Sequence, residues 1–310
     1  MLPLVEKYRP QKVEDCVLPK AIKSTFESIV KSGEIPNMIL SGGSGCGKTT
    51  IARAMCSELG VDYMFINASE EGGIDTLRTK IRNYASTVSL GGGKKVIILD
   101  EADYLNANTT QPALRGVIEE FAANCRFIMT CNYKARIIDP LHSRCTVIDF
   151  KIPAKEKPQL AGEFLDRAKH IMDSEGIQYE EKAIAELIIR YFPDFRKVLN
   201  TIQRHSLSGT INSSVLSVGK DVDIDQLIKA MKTKSFADIR KWVTEHSDTE
   251  PAMIFRRIYD GLQDKLNSGS IAQAILILGE YQYKAAFVAD QEINLVACCL
   301  MLASDCSFDK

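Results

Sequence analysis

No run of about 18 apolar residues occurs in this 310-residue chain, so no segment reads as a membrane-spanning helix. The opening residues, Met1-Leu2-Pro3-Leu4-Val5-Glu6-Lys7, lack a basic stretch followed by a long apolar core, and a secretory signal is not expected. C-x-x-C spacing is absent although nine cysteines are present, which argues against a structural zinc site. The thiol count is odd, and Cys46, Cys56, Cys131, Cys298 and Cys299 lie within apolar or motif segments. That is the usage of reduced thiols, and the cytoplasm is the expected compartment. An excess of one charge is lacking too. The 39 Lys and Arg face 40 Asp and Glu, a formal net charge of −1. Such a balance gives no general attraction to nucleic acid, so any DNA contact must rest on local placement. No internal repeat and no low-complexity tract occurs.

What is present is an ordinary globular composition, 45% hydrophobic and 25% charged, long enough for two or three domains. In the first half, apolar stretches at 37–40, 63–67, 95–100, 127–132 and 146–150 alternate with helical patterns at 20–31, 49–58, 75–86 and 108–121. The alternation predicts an α/β domain, a parallel sheet with helices on both faces. Strand patterns stop near Ile152-Pro153. Helical patterns follow at 157–175, 180–191 and 194–205, and a Gly/Ser-rich stretch at 206–214 reads as a linker. Five more helices are expected at 224–231, 236–246, 251–266, 270–283 and 291–304, with Pro251 in the first turn of its helix. The expected division is 1–152, 153–214 and 215–310. In the last two helices Ile271, Ala274, Ile275, Ile277 and Leu278, and then Leu295, Val296, Cys298, Cys299, Met301 and Leu302, cover more than one face. Such helices are expected to be buried nearly all round, within a small bundle's own core or against neighbouring subunits.

The chemistry concentrates in a few strings. Gly42-Gly43-Ser44-Gly45-Cys46-Gly47-Lys48-Thr49, followed by Thr50, is a complete G-x-x-x-x-G-K-T loop between an apolar run and a helical pattern. In that context its backbone N–H groups cradle phosphates, Lys48 reaches the β- and γ-phosphates, and the Thr49 hydroxyl sits on Mg²⁺. The chain is therefore expected to bind a nucleoside triphosphate. Val96-Ile97-Ile98-Leu99-Asp100-Glu101-Ala102-Asp103 is a buried strand ending in acids. There Asp100 can hold Mg²⁺ through water and Glu101 can polarise the attacking water. Phe127-Ile128-Met129-Thr130-Cys131-Asn132 is a second buried strand, and its terminal amide can position that water. Arg144, in Ser143-Arg144-Cys145, either supports a loop or projects into an adjacent subunit's site. An arginine finger of that second kind is worth roughly 10³–10⁵ in rate.

Taken in order, Glu6-Lys7-Tyr8-Arg9-Pro10, the phosphate loop, Asp100-Glu101-Ala102-Asp103, Asn132 and Ser143-Arg144-Cys145 resemble the subunits of sliding-clamp loaders, AAA+ ATPases of the replication factor C type. The motifs span residues 6 to about 205, and the compact chain looks most like the bacteriophage branch. The resemblance implies a RecA-like AAA+ domain, a helical lid and an all-α collar. It implies a base pocket of Tyr8, Arg9, Pro10 and Val17, and a cis site of Lys48, Thr49, Asp100, Glu101 and Asn132. Arg196, in Pro193-Asp194-Phe195-Arg196-Lys197, would reach the γ-phosphate from the lid, and Arg144 would act in trans. Gln111 would couple DNA contact to the catalytic glutamate. Arg78, Lys80, Arg82 and Arg115 would track DNA phosphates, while Val88 and Leu90 would touch the clamp. The implied cofactors are ATP and Mg²⁺. The implied partners are a ring-shaped clamp, primer–template DNA and other loader subunits in a hetero-pentamer, with no membrane involved. The implied activity is DNA- and clamp-stimulated ATP hydrolysis, located in the cytoplasm of a host if the chain is phage-encoded.

Two departures and two rivals belong beside it. The glycine usual before the second-sensor Asp is Pro193, and the four-cysteine insertion of bacterial loader subunits is missing. A helicase or branch-migration motor would show a DNA-inserting hairpin or winged helix, and neither is evident after residue 215. A non-hydrolysing scaffold subunit would lose Lys48 or Glu101, and both are intact.

Overall fold

The computed structural model of the chain describes residues 2–70, 73–87, 93–207, 209–212, 224–247, 249, 251–262 and 265–308. They form two compact units, Met1–Ser217 and Val218–Lys310.

The first unit is built on a five-stranded parallel sheet in the order β2-β3-β4-β1-β5. The strands are β1 (Met38–Ser41), β2 (Tyr63–Asn67), β3 (Lys95–Asp100), β4 (Cys125–Cys131) and β5 (Thr146–Asp149). Every pairing is parallel. The central three are nearly continuous apolar runs because helices cover both their faces. On one face Met38 and Leu40 pack with Ile98 and Ile128 against α2 (Lys20–Ser32) and α3 (Lys48–Glu58), through Phe26, Ile51 and Met55. On the other, Ile39, Ile97, Leu99, Phe127 and Met129 meet α4 (Ile74–Ala85) and α5 (Thr110–Glu120), through Leu77, Ile81, Leu114 and Val117. Neighbouring residues of one strand thus feed opposite cores, the period-2 signature of a two-faced sheet. Each such side chain contributes about 1.5–3 kcal/mol on burial.

The strands and helices fall within a few residues of expectation, with β4 starting two residues early, at Cys125. Four short elements among the described residues had no periodic pattern to reveal them. They are α1 (Leu4–Lys7), 3₁₀ turns at Ala102–Tyr104 and Lys134–Arg136, and α6 (Asp139–His142).

Three helices, α7 (Lys157–Glu175), α8 (Glu181–Tyr191) and α9 (Phe195–Ser206), complete this unit. Their core holds Phe164, Ile171, Ile184, Leu187, Val198 and Ile202, together with Leu4 from α1. The stretch read as a linker from 206 begins differently. Ser206 is the last residue of α9, and Ile211 is fully buried in the same core, bridged to Tyr179. One isoleucine among small polar residues carried no periodicity, yet it closes the helical layer.

The second unit holds α10 (Ile224–Lys232), α11 (Phe236–Glu245), α12 (Pro251–Leu262), α13 (Ser268–Lys284) and α14 (Gln291–Asp305). Leu227, Met231, Ile239, Trp242, Ile258, Leu262, Cys298 and Leu302 form its core. Of the two alternatives for α13 and α14, the bundle's own core does not cover all of their apolar residues. Ala274, Ile277, Leu278, Leu295, Cys298 and Cys299 are buried, but Leu276 and Ile293 are each 68% exposed and Ile275 and Met301 also face solvent. Five helices offer each of these two a core on one side only. Among the described residues no helix is long and apolar enough to cross a membrane.

Candidate nucleotide-binding site

The sheet order brings the ends of β1, β3 and β4 together, and the loops that leave them share one crevice. Ser41 pairs with Cys131 across β1 and β4, and the Gly42 N–H carries that ladder one step further to Cys131 O (3.1 Å). A Cβ at Gly42 would sit 2.7 Å from Phe150 Cβ, so the loop can leave the strand only as glycine. The chain then turns through Gly47, and α3 begins at Lys48, so the first N–H groups of the helix face the crevice without intrahelical acceptors.

Lys48 is 8% exposed, and its Nζ donates to Gly42 O (2.8 Å), Gly43 O (2.7 Å) and Asn132 Oδ1 (3.0 Å). The Thr49 hydroxyl donates to Asp100 Oδ1 at 2.5 Å. Glu101 follows in the left-handed region, at φ 56°. For a residue with a Cβ that costs on the order of 1–3 kcal/mol, and such strain gathers at functional sites. The cavity around these groups is lined by Ser44 to Thr50, Asp100, Glu101, Asn132, Tyr8, Arg9, Pro10, Val17 and Arg196. The phosphate loop, both acids, the Asn132 amide, the candidate base pocket and Arg196 therefore meet in one place.

The cavity has a second wall from the helical layer, contributed by Phe164, Arg167, Phe195 and Leu199. Arg167 clamps this wall to the N-terminal segment by donating to Tyr8 O and Asp15 O, both at 2.9 Å. Glu175 accepts from Lys7 Nζ and the Tyr8 hydroxyl, and those bonds hold its carboxyl below the usual carboxylate range. Asp194 caps α9 by accepting from Lys197 N (3.0 Å), so Pro193 leaves the cap intact. Its carboxylate stands so close to the loop that a Cβ on Gly45 would lie 1.8 Å from Asp194 Oδ1.

Residues with no role assigned from sequence also support the site. Asp103 Oδ2 accepts from the N–H groups of Asn132 (3.2 Å) and Tyr133 (3.1 Å), which fixes the turn carrying the Asn132 amide. The buried hydroxyl of Thr130 bonds both acids. A hydroxyl among the apolar residues 127–131 of β4 was the available signal. Cys46 in the loop is held as a neutral thiol because burial pushes its pKa up.

Other predicted residues lie elsewhere. Arg144 is bonded within its own chain: Nε donates to Glu119 Oε1 (2.7 Å) and Nη1 to Pro140 O (2.7 Å). The guanidinium holds the Glu119 carboxyl below its ordinary range. Gln111 is fully buried, donating to Leu105 O (3.0 Å) and Arg136 O (2.9 Å) and accepting from Ile138 N (2.8 Å). Arg78, Lys80 and Arg115 are exposed on α4 and α5, and Arg82 pairs with Glu120 at 3.0 Å. Val88 and Leu90 lie outside the described residues.

A parallel sheet in this order, with a phosphate loop after β1, adjoining acids at the end of β3 and an asparagine after β4, defines an ATPase of the AAA+ class. The model of the "ATPase family associated with various cellular activities" matches residues 38–152. A RuvB mutant from Thermotoga maritima, 18% identical, superposes with a TM-score of 0.55 over 73% of this chain and 81% of that one, which supports the fold.

The model of the "sliding-clamp-loader large subunit, AAA+ ATPase lid domain" matches residues 156–217. The sliding-clamp-loader large subunit of Enterobacteria phage T4 is 34% identical over 97% of this chain and 96% of its own length. The counterpart from Escherichia phage RB69 is 32% identical over the same shares. The replication factor C small subunit of Archaeoglobus fulgidus is 32% identical over 94% of each chain. The chain belongs to the sliding-clamp-loader large-subunit family: it is a AAA+ ATPase of clamp loading in DNA replication.

Proposed function

We propose that this chain is the hydrolysing subunit of a loader that uses ATP to place a ring-shaped clamp on primer–template DNA, and that each site is completed by a neighbouring subunit. The observation that carries the reading is the separation of Arg144 from the otherwise assembled cis site. Lys48, Thr49, Asp100, Glu101 and Asn132 converge on one cavity, while Arg144 is bonded to Glu119 and Pro140.

Within the cis site, Tyr8, Arg9, Pro10 and Val17 take the base, and the loop N–H groups with Lys48 take the phosphates. Thr49 Oγ1 and Asp100 are hard oxygen donors side by side, and they suit Mg²⁺, which takes few protein ligands and keeps several waters. Bound there, Mg²⁺ would offset charge on the β- and γ-phosphates. The left-handed turn at Glu101 sets its carboxylate toward the cavity, where it accepts the proton of the attacking water while Asn132 orients that water. Arg196 contributes positive charge from the lid. The overall change is ATP + H₂O → ADP + phosphate.

DNA acts at a distance in this reading. Arg78, Lys80 and Arg82 on α4 and Arg115 on α5 track phosphates. Gln111 joins the start of α5 to the segments that follow β3 and β4, so a shift of α5 reaches the acids and the sensor. That linkage is the proposed origin of DNA- and clamp-stimulated turnover. Leu276, Ile293, Ile275 and Met301 give the second unit an apolar surface suited to neighbouring subunits, which supports a division into a AAA+ domain at 1–152, a lid at 153–214 and a collar at 215–310. A hetero-pentamer with several copies of this chain, working in a host cytoplasm, is the arrangement we favour.

Mixing tests the shared site. Arg144→Ala leaves ATP affinity largely intact and cuts DNA-stimulated turnover by roughly 10³-fold or more. Glu101→Gln subunits bind ATP without turnover. In a mixture, an Arg144→Ala subunit beside a Glu101→Gln subunit regains a complete site, and ATPase partly recovers. Verified mixed oligomers with no recovery would make Arg144 a cis or structural residue.

A further inference from the structure

The two acids at the end of β3 share a partner to which nothing above gives a role in hydrolysis. Thr130, on β4 and 2% exposed, accepts a hydrogen bond from the Glu101 backbone N–H at 3.1 Å. Its oxygen lies 2.6 Å from Asp100 Oδ1. An ionised carboxylate can only accept, so the Thr130 proton goes to Asp100 while a lone pair of the same oxygen accepts from the Glu101 N–H. One buried group therefore fixes the backbone of the first acid's neighbour and the carboxylate of the first acid itself.

Both placements are demanding. Glu101 stands at φ 56°, a conformation a residue with a Cβ keeps only when its surroundings hold it. The N–H that Thr130 binds belongs to the peptide entering that turn, and the Asp100 carbonyl in the same peptide accepts from Ala68 N at 2.9 Å. The peptide plane is thus pinned from β4 on one side and from the end of β2 on the other. Asp100 Oδ1 takes hydroxyl protons from Thr130 and from Thr49, so the bonds converge on one carboxylate oxygen and orient the other.

We propose that Thr130 is a positioning residue for hydrolysis. It holds Glu101 in the turn that aims its carboxylate at the water, and it sets the Asp100 carboxylate for the cation. The proposal rests on the roles given above to Glu101 and Asp100. Thr130→Val preserves shape and removes both hydrogen bonds, while Thr130→Ser restores the hydroxyl. Each variant is assembled with its partner subunit and assayed with clamp and primed DNA. Turnover is followed against ATP and against Mg²⁺, and affinity is measured with a fluorescent ATP analogue.

Thr130→Val lowers kcat roughly 10- to 100-fold while KM for ATP changes less than about 3-fold, the signature of misplaced catalytic groups. Its half-saturating Mg²⁺ concentration rises, and Thr130→Ser returns kcat to within about 3-fold of the parent. Glu101→Gln is run alongside. If Glu101→Gln abolishes turnover and Thr130→Val does not alter it, the proposal is wrong and the role of Glu101 stands. If Glu101→Gln turns over normally, the underlying reading fails and the proposal falls with it. Equal losses of kcat, ATP affinity and thermal midpoint in the Val and Ser variants would reduce Thr130 to a packing residue.

Discussion

Replacing Gln111 by Leu tests how firmly the start of α5 is tied to the site. The amide is fully buried and makes three hydrogen bonds to backbone, with Leu105 O, Arg136 O and Ile138 N. Leucine is close in volume, so little cavity forms, and the loss is electrostatic in origin. Three bonds at about 1 kcal/mol each set a loss near 3 kcal/mol. Groups left buried without a partner push it higher, and the bond to Arg136 O, only partly buried, lets water recover some of it. The expected range is about 2–4 kcal/mol. Urea unfolding of the parent and of Gln111→Leu, followed by helical circular dichroism at equal slope, measures it. Gln159→Leu is the control, because that amide is exposed and bonds Glu163 in its own helix, and its change stays within about 0.5 kcal/mol. A loss below about 1 kcal/mol for Gln111→Leu would refute the view that this amide is a structural junction. The reading of it as the link from DNA to the acids would fall too.

Arg78→Ala, Lys80→Ala and Arg82→Ala each weaken primed-DNA binding equally across sequences and lower the slope of log K against log salt by roughly 0.9 per lost contact; a sequence-dependent loss removes α4 from the DNA path. The Arg82–Glu120 pair is exposed, so its removal leaves stability nearly unchanged, which a thermal scan verifies. Gly45→Ala strains a residue at φ +69° and drives a methyl into Asp194, forcing loop and lid apart. Affinity for a fluorescent ATP analogue falls roughly 10-fold or more, and a change under about 2-fold would show that the lid contact is dispensable. Glu175 has a depressed folded pKa, so its contribution is present above the ordinary value of 4.5 and is lost as pH falls through the lowered one. Glu175→Gln therefore flattens the acid side of the thermal midpoint against pH; an unchanged slope would mean Lys7 and Tyr8 do not hold that carboxylate.

Much of the molecule was legible because it is local. A phosphate loop is contiguous, and buried strands of a parallel sheet announce themselves as apolar runs ending where their loops begin. Pro193 in place of the usual glycine raised the question of the lid helix's entry. The cap from Asp194 is intact all the same, since capping needs the carboxylate and not the preceding residue. Ile211 was hidden because a single apolar residue in a polar stretch has no period. The exposure of Leu276 and Ile293 was hidden for the opposite reason, since apolar content states how much surface needs cover and leaves open what covers it.

The sequence by itself determined the class of chemistry and the order of its parts: Lys48 and Thr49 open the helix that follows β1, and Asp100, Glu101 and Asn132 stand at the ends of β3 and β4, whose apolar runs are written in the chain. Their convergence depends on the strand order, which places β1 beside β4 and β4 beside β3. Only the tertiary structure decided what orients them. Thr130 reaches both acids from a neighbouring strand, Asp103 holds the turn of Asn132, Arg167 binds the lid to the N-terminal segment, and Gln111 ties α5 to two loops. These are hydrogen bonds between residues from about 30 to more than 150 positions apart or across separate elements, and their energy depends on distances of a few tenths of an ångström. A one-dimensional pattern encodes burial and propensity; it does not encode which donor meets which acceptor once the layers have packed.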